Sequence, residues 1–81
     1  MYFCSMNNVD TDITIKFGKH VATLRKRKGL TQLELAYRCD IHRAYIGAIE
    51  RGEKKVNICT IFKLAKGLNV EPYQLLKYAS R

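Results

Sequence analysis

TQLELAYRCDIHRAYIGAIERG, residues 31–52, reads as two short helices divided by a tight turn. Thr31 followed three residues later by Glu34 is a capping box: the hydroxyl accepts from one free N–H of the first turn and the carboxylate from another. Leu35, Ala36 and Cys39 then fall on one inner side, and Asp40 interrupts the apolar pattern, so this first helix is short. The second starts near His42. At about 100° per residue, Ile46 and Ile49 with part of Tyr45 define its buried stripe. Opposite them lie Arg43, Ala44, Gly47, Ala48 and Arg51, a face almost stripped of bulk. Glycine inside a helix costs about 1 kcal/mol relative to alanine, so an exposed Gly47 is unfavourable unless something approaches the backbone closely.

Two partners suit such a face. The major groove of a DNA duplex admits a helix between its sugar-phosphate walls, with small residues at the centre and arginines reaching guanine O6 and N7 or phosphates. A second protein helix is the other. The charge of the chain favours DNA, since 15 Lys and Arg oppose 7 Asp and Glu for a formal net charge of +8. The cations gather at Arg25 to Lys28 and at Lys54 and Lys55, with Arg38, Arg43 and Arg51 between them. An anionic membrane surface would instead call for one continuous cationic face beside large exposed apolar groups.

Working outward, Phe17, Val21 and Leu24 mark one face of a preceding helix that begins after Asp12 and closes before Gly29, a left-handed stop. The chain therefore divides into an N-terminal extension, 1–12, and one helical domain, 13–81. No apolar run is long enough to span a membrane, and the first twelve residues lack the basic start and apolar stretch of an export signal. Cys4, Cys39 and Cys59 form no CxxC pair, and an odd number cannot close into internal disulfides alone, so reduced thiols in a cytoplasm are expected. His20 and His42 complete no metal set, and neither a nucleophile elbow nor a phosphate-binding glycine loop is present. The expectation is a protein without catalytic residues, metal or cofactor.

From Phe17 to Leu76, through LRKRKGLTQLELA, YIGAIERGEKK and IFKLAKGLNV, the chain resembles the lambda-repressor-like helix-turn-helix domains. LAYRC and HRAYIGAIERG are most similar to the small controller proteins of restriction-modification systems. The resemblance implies an all-α fold of five helices, the third reading the major groove. It implies a fourth helix capped by Asn57 and ending near Asn69, and a fifth starting at Pro72. Leu75, Leu76 and Tyr78 of that fifth helix are implied to join two subunits, placing two reading helices about 34 Å apart on a near-palindromic operator.

Position by position, the resemblance puts Arg43 and Ala44 at base edges, with Ala48 and Gly47 one turn on. His42 occupies the usual Ser or Thr cap, where imidazole caps poorly, and is expected to contact phosphate or a base edge instead. Gln32 aligns with a residue that braces a phosphate and can also donate to the reading helix. Lys54, Lys55 and Asn57 are expected to hold phosphates, while Tyr45 packs its ring and offers its hydroxyl. Arg51, on the outer face, is expected to reach a base edge or a phosphate. Arg25 and Glu50 are implied to form a partly buried bridge. Two departures stand out: Leu33 with Tyr37 gives the second helix an apolar outward strip for Met1–Phe3 or another protein to cover, and no proline stiffens the loop near Val56. A regulator that competes with or recruits polymerase is the function implied. An antitoxin-type module that binds a toxin is the alternative of another class.

Overall fold

The structure, a computed structural model, describes residues 6–77, with side-chain surroundings from Asp12 onward. It contains α1 (Met6–Arg27), α2 (Gln32–Cys39), α3 (Arg43–Glu50), α4 (Ile58–Leu68) and α5 (Pro72–Leu76), with no strand among the described residues. Local chemistry explains most boundaries. α1 stops at Gly29, whose φ of 72° lets Gly29 N donate to Lys26 O and Leu30 N to Arg25 O. Asp40 and Asn69 end α2 and α4 in the same left-handed geometry, with φ of 58° and 59°, which short polar side chains tolerate. The Thr31–Glu34 capping box is formed in both directions, at 3.0 and 2.8 Å. Asn57 caps α4, its Oδ1 accepting from Thr60 N at 2.8 Å.

The start of α1 differs from the expectation. The helix begins at Met6 rather than after Asp12. Asn7, Asn8 and Thr11 are poor helix formers and carry no apolar period, so the pattern is silent there. Once the packed turns around Phe17 and Val21 exist, however, each added residue costs little and gains a hydrogen bond. The exposed Lys16–Asp12 pair at 3.1 Å adds at most a few tenths of a kcal/mol.

One core joins all five helices, built on Val21 of α1, Leu35 of α2, Ile46 and Ile49 of α3, Leu64 and Leu68 of α4 and Leu75 of α5, each at most 1% exposed. α5 is too short to persist alone. It is held by Leu75, whose full burial contributes about 1.5–3 kcal/mol, and by His20 Nε2 of α1, which donates to Gln74 O at 2.7 Å. Cys39 of α2 faces Gly67 of α4 so closely that a Cβ there would strike its sulfur. Burial pushes the Cys39 thiol up to about 11, opposed by a weaker backbone hydrogen bond at Gly67, so it remains a packed, protonated group.

Candidate nucleic-acid interface

The first turn of α3 is free and its second turn is enclosed. Arg43 and Ala44 are exposed and Tyr45 is half-buried against the core. Ile46, Gly47, Ala48 and Ile49 are all buried, although successive residues point in four different directions. The sequence expectation for Gly47 and Ala48 is therefore overturned: neither lies on a bare outward face. Ala48 is 7% exposed. A Cβ on Gly47 would sit 3.1 Å from Arg51 Nη1 and 3.6 Å from Gln32 Oε1, so its open side is covered by two side chains of the same chain. A helical wheel assumes equal exposure along the axis. In a two-turn helix, one end can project while the other is surrounded.

What surrounds the C-terminal end is a polar lock. Arg25 Nε donates to Glu50 Oε2 at 2.7 Å and Nη2 to Oε1 at 3.1 Å, with the two side chains only 12% and 7% exposed. Arg25 Nη1 also donates to Leu30 O at 2.8 Å, tying the pair to the stop of α1. Gln32 Nε2 completes the set by donating to Glu50 Oε1 at 2.9 Å. Glu50 thus accepts three donors, the condition under which a largely buried carboxylate is tolerated. Gln32, at the first position of α2, makes the donation to α3 that the sequence allowed for.

His42 corrects a second expectation. Its Nδ1 accepts from Ala44 N at 3.1 Å, so the imidazole does cap α3. The neutral ring with its proton on Nε2 presents an sp² acceptor where Ser or Thr would present a hydroxyl. Arg51 is exposed and forked onto Glu53, Nε to Oε2 at 2.9 Å and Nη2 to Oε1 at 3.1 Å. This hydrogen-bonded pairing raises the Arg51 pKa and holds the Glu53 carboxyl below its usual range. A contact from Arg51 to phosphate requires it to exchange that partner. The Arg43 side chain, by contrast, makes no hydrogen bond or ion pair among the described residues.

The other predicted positions lie apart from α3. Lys54 and Lys55 are exposed in the loop between α3 and α4 and, with Val56, border a groove whose other walls include Ile13 and Phe17 of α1 and Leu76 of α5. Asn57 is exposed, and its oxygen is committed to the α4 cap. Leu75 overturns a third expectation: it is 0% exposed in the core of its own chain and is not available to a second subunit. Leu76 is exposed, and Tyr78 lies outside the described residues. Sequence reasoning missed Ile58, Phe62 and Tyr73, exposed apolar residues on the paired helices α4 and α5. The signal was available, since Ile58 and Phe62 are four residues apart and lie off the Leu64–Leu68 stripe. Leu33 and Tyr37 of α2 are exposed as expected; the segment proposed to cover them, Met1–Phe3, lies outside the described residues. No group of His, Cys, Asp and Glu among the described residues is arranged to hold a metal.

A short helix anchored at one end and projecting a cationic first turn, preceded by a capped helix and a left-handed turn, is the arrangement of a helix-turn-helix unit. The family model described as Helix-turn-helix matches residues 21–75, and the chain belongs to that family. It is 40% identical over 70 residues to the control protein C.BamHI of Bacillus amyloliquefaciens, covering 85% of this chain and 86% of that protein. Control protein C.SmaI of Serratia marcescens is 38% identical over 65 residues, 80% of this chain and 77% of that one. The crystal structure of the restriction-modification controller protein C.AhdI from Aeromonas hydrophila superposes with a TM-score of 0.75 at 42% identity, covering 76% of this chain and 94% of the other. No helix among the described residues is long and apolar enough to cross a membrane.

Proposed function

We propose that this protein is a sequence-specific DNA-binding transcriptional regulator of the restriction-modification controller type, acting in the cytoplasm as a homodimer on a near-palindromic operator. The observation that carries the reading is the projecting first turn of α3, with Arg43 unpaired among the described residues on a chain of net charge +8. Arg43 donates to guanine O6 and N7, and the Ala44 methyl meets a thymine methyl. His42 contributes Nε2 as a donor, and Lys54, Lys55 and Arg51 neutralise phosphates, which positions the helix without specifying sequence. Gly47 and Ala48, both enclosed, have no direct part.

Dimerisation falls to the apolar residues that α4 and α5 leave exposed, Ile58, Phe62, Tyr73 and Leu76. Two subunits joined there present two α3 helices to successive major-groove faces, about 34 Å apart. The control proteins among its relatives favour this reading over an antitoxin-type module. Polymerase is the protein partner it implies, met at the promoter. Selection of duplexes from a randomised pool, followed by gel-shift titration at two salt concentrations, tests it. Enrichment of a near-palindrome bound with a steep salt slope supports the proposal. Failure to enrich any sequence sinks it.

A further inference from the structure

Close backbone approach does occur at α3, but on the side of α1. Ile15, Gly18 and Arg25 lie along one face of α1 at intervals of about one and two turns, and each meets the C-terminal end of α3 or the turn that follows it. A Cβ on Gly18 would fall inside contact distance of the Ile49 carbonyl oxygen and 3.0 Å from that of Glu50. Gly52, just past α3 with φ of 77°, is seated so that a Cβ would lie 2.9 Å from Ile15 Cα and 2.8 Å from its Cγ1. Arg25 closes the row on the Glu50 carboxylate. Where carbonyl oxygens or a Cα are the neighbours, side-chain rotation gives no relief. The three points span roughly 15 Å of the α1 axis and so set both the tilt and the roll of α3.

α3 is only about 12 Å long, so lifting its C-terminal end by an ångström tilts the whole helix and displaces its first turn by a comparable amount. Paired hydrogen bonds to a base edge tolerate shifts of only a few tenths of an ångström, whereas attraction between cations and phosphates is far less sensitive to angle. We infer that Gly18, together with Gly52, is a positioning residue for base readout. The glycine contacts hold α3 against α1 at the one angle that delivers Arg43 and Ala44 to the groove. A methyl group at position 18 costs discrimination between DNA sequences before it costs affinity for DNA as such. This inference rests on the DNA-binding reading above.

The test uses the full chain, a duplex enriched by the wild-type protein from a randomised pool, and a scrambled duplex of equal length. For Gly18→Ala, shown to be folded by its circular dichroism spectrum, the ratio of the two dissociation constants should fall about tenfold or more, the scale of one lost base contact. Affinity for the scrambled duplex and the salt slope should stay within about twofold, because no phosphate contact is touched. A folded Gly18→Ala that keeps the wild-type ratio overturns the inference, as does an equal loss on both duplexes. If Gly18→Ala does not fold, the decision passes to Arg25→Lys, which keeps the charge but gives up the two-pronged grip on Glu50. A reduced ratio supports positioning through α1, and an unchanged one overturns it. Failure to enrich any duplex would count against the DNA-binding reading itself, whereas enrichment with unaltered discrimination in the variants counts against this inference alone.

Discussion

The two ends of α3 are built on opposite principles. At its C-terminal end every direction is filled, by the core on one side, by α1 backbone at Gly18 on another, and by the Arg25–Glu50–Gln32 lock. At its N-terminal end the restraint is lighter, from the His42 cap and the half-buried Ile41 and Tyr45, and Arg43 and Ala44 are exposed. A reading helix needs both properties: a rigid seat to define an angle, and a bare tip whose side chains have no other partner. Eight residues suffice because the two demands are separated along the axis rather than around it.

The largest effect should come from breaking the seat. Glu50→Ala leaves Arg25 largely buried without its carboxylate and should destabilise the fold by about 3–5 kcal/mol in urea unfolding. Stability unchanged within error would mean that the lock holds nothing. At the tip the order of effects reverses. Arg43→Ala should lose about 1–3 kcal/mol of binding to the selected duplex and relax preference at one base pair, while unfolding shifts by less than about 0.5 kcal/mol. A uniform loss across sequences would demote Arg43 to a phosphate contact.

His42→Ala probes the cap at the tip and should cost about 1 kcal/mol of stability through its loss. Replacement by Asn, a stronger cap, should restore it; if Ala is neutral, the Nδ1 bond contributes nothing. Gly47→Ala should have the smallest effect and the opposite sign. The added methyl meets Arg51 Nη1 at 3.1 Å, the far end of an exposed and flexible side chain, so the gain in helix propensity should leave a stabilisation of up to about 1 kcal/mol. A loss would show that the Arg51–Glu53 fork is held rigidly over Gly47.

Much of the framework was legible because it is made by residues close together in the chain. The capping box at Thr31 and Glu34, the cap at Asn57, the stops at Gly29, Asp40 and Asn69 and the start at Pro72 are each interactions within about one helical turn. The Arg25–Glu50 bridge, 25 residues apart, entered only through the resemblance to a family. Where the reading failed, the deciding neighbour was distant. Gly47 is closed over by Gln32 as well as Arg51, and Leu75 is drawn into a core that begins at Phe17. His42 failed for another reason: the propensity of a residue type for caps says little about a ring nitrogen already in place to accept.

Short capped helices, the places where they stop and a surplus of positive charge suited to a polyanion are all written in the order of residues. Periodicity, caps and net charge need no knowledge of the rest of the chain. Packing between helices settles which small residues face a neighbour and which face solvent, and which leucine of α5 enters the core. Those outcomes depend on how α1 crosses the end of α3 and how α5 docks, and a one-dimensional pattern cannot say which of several equivalent faces another element will cover.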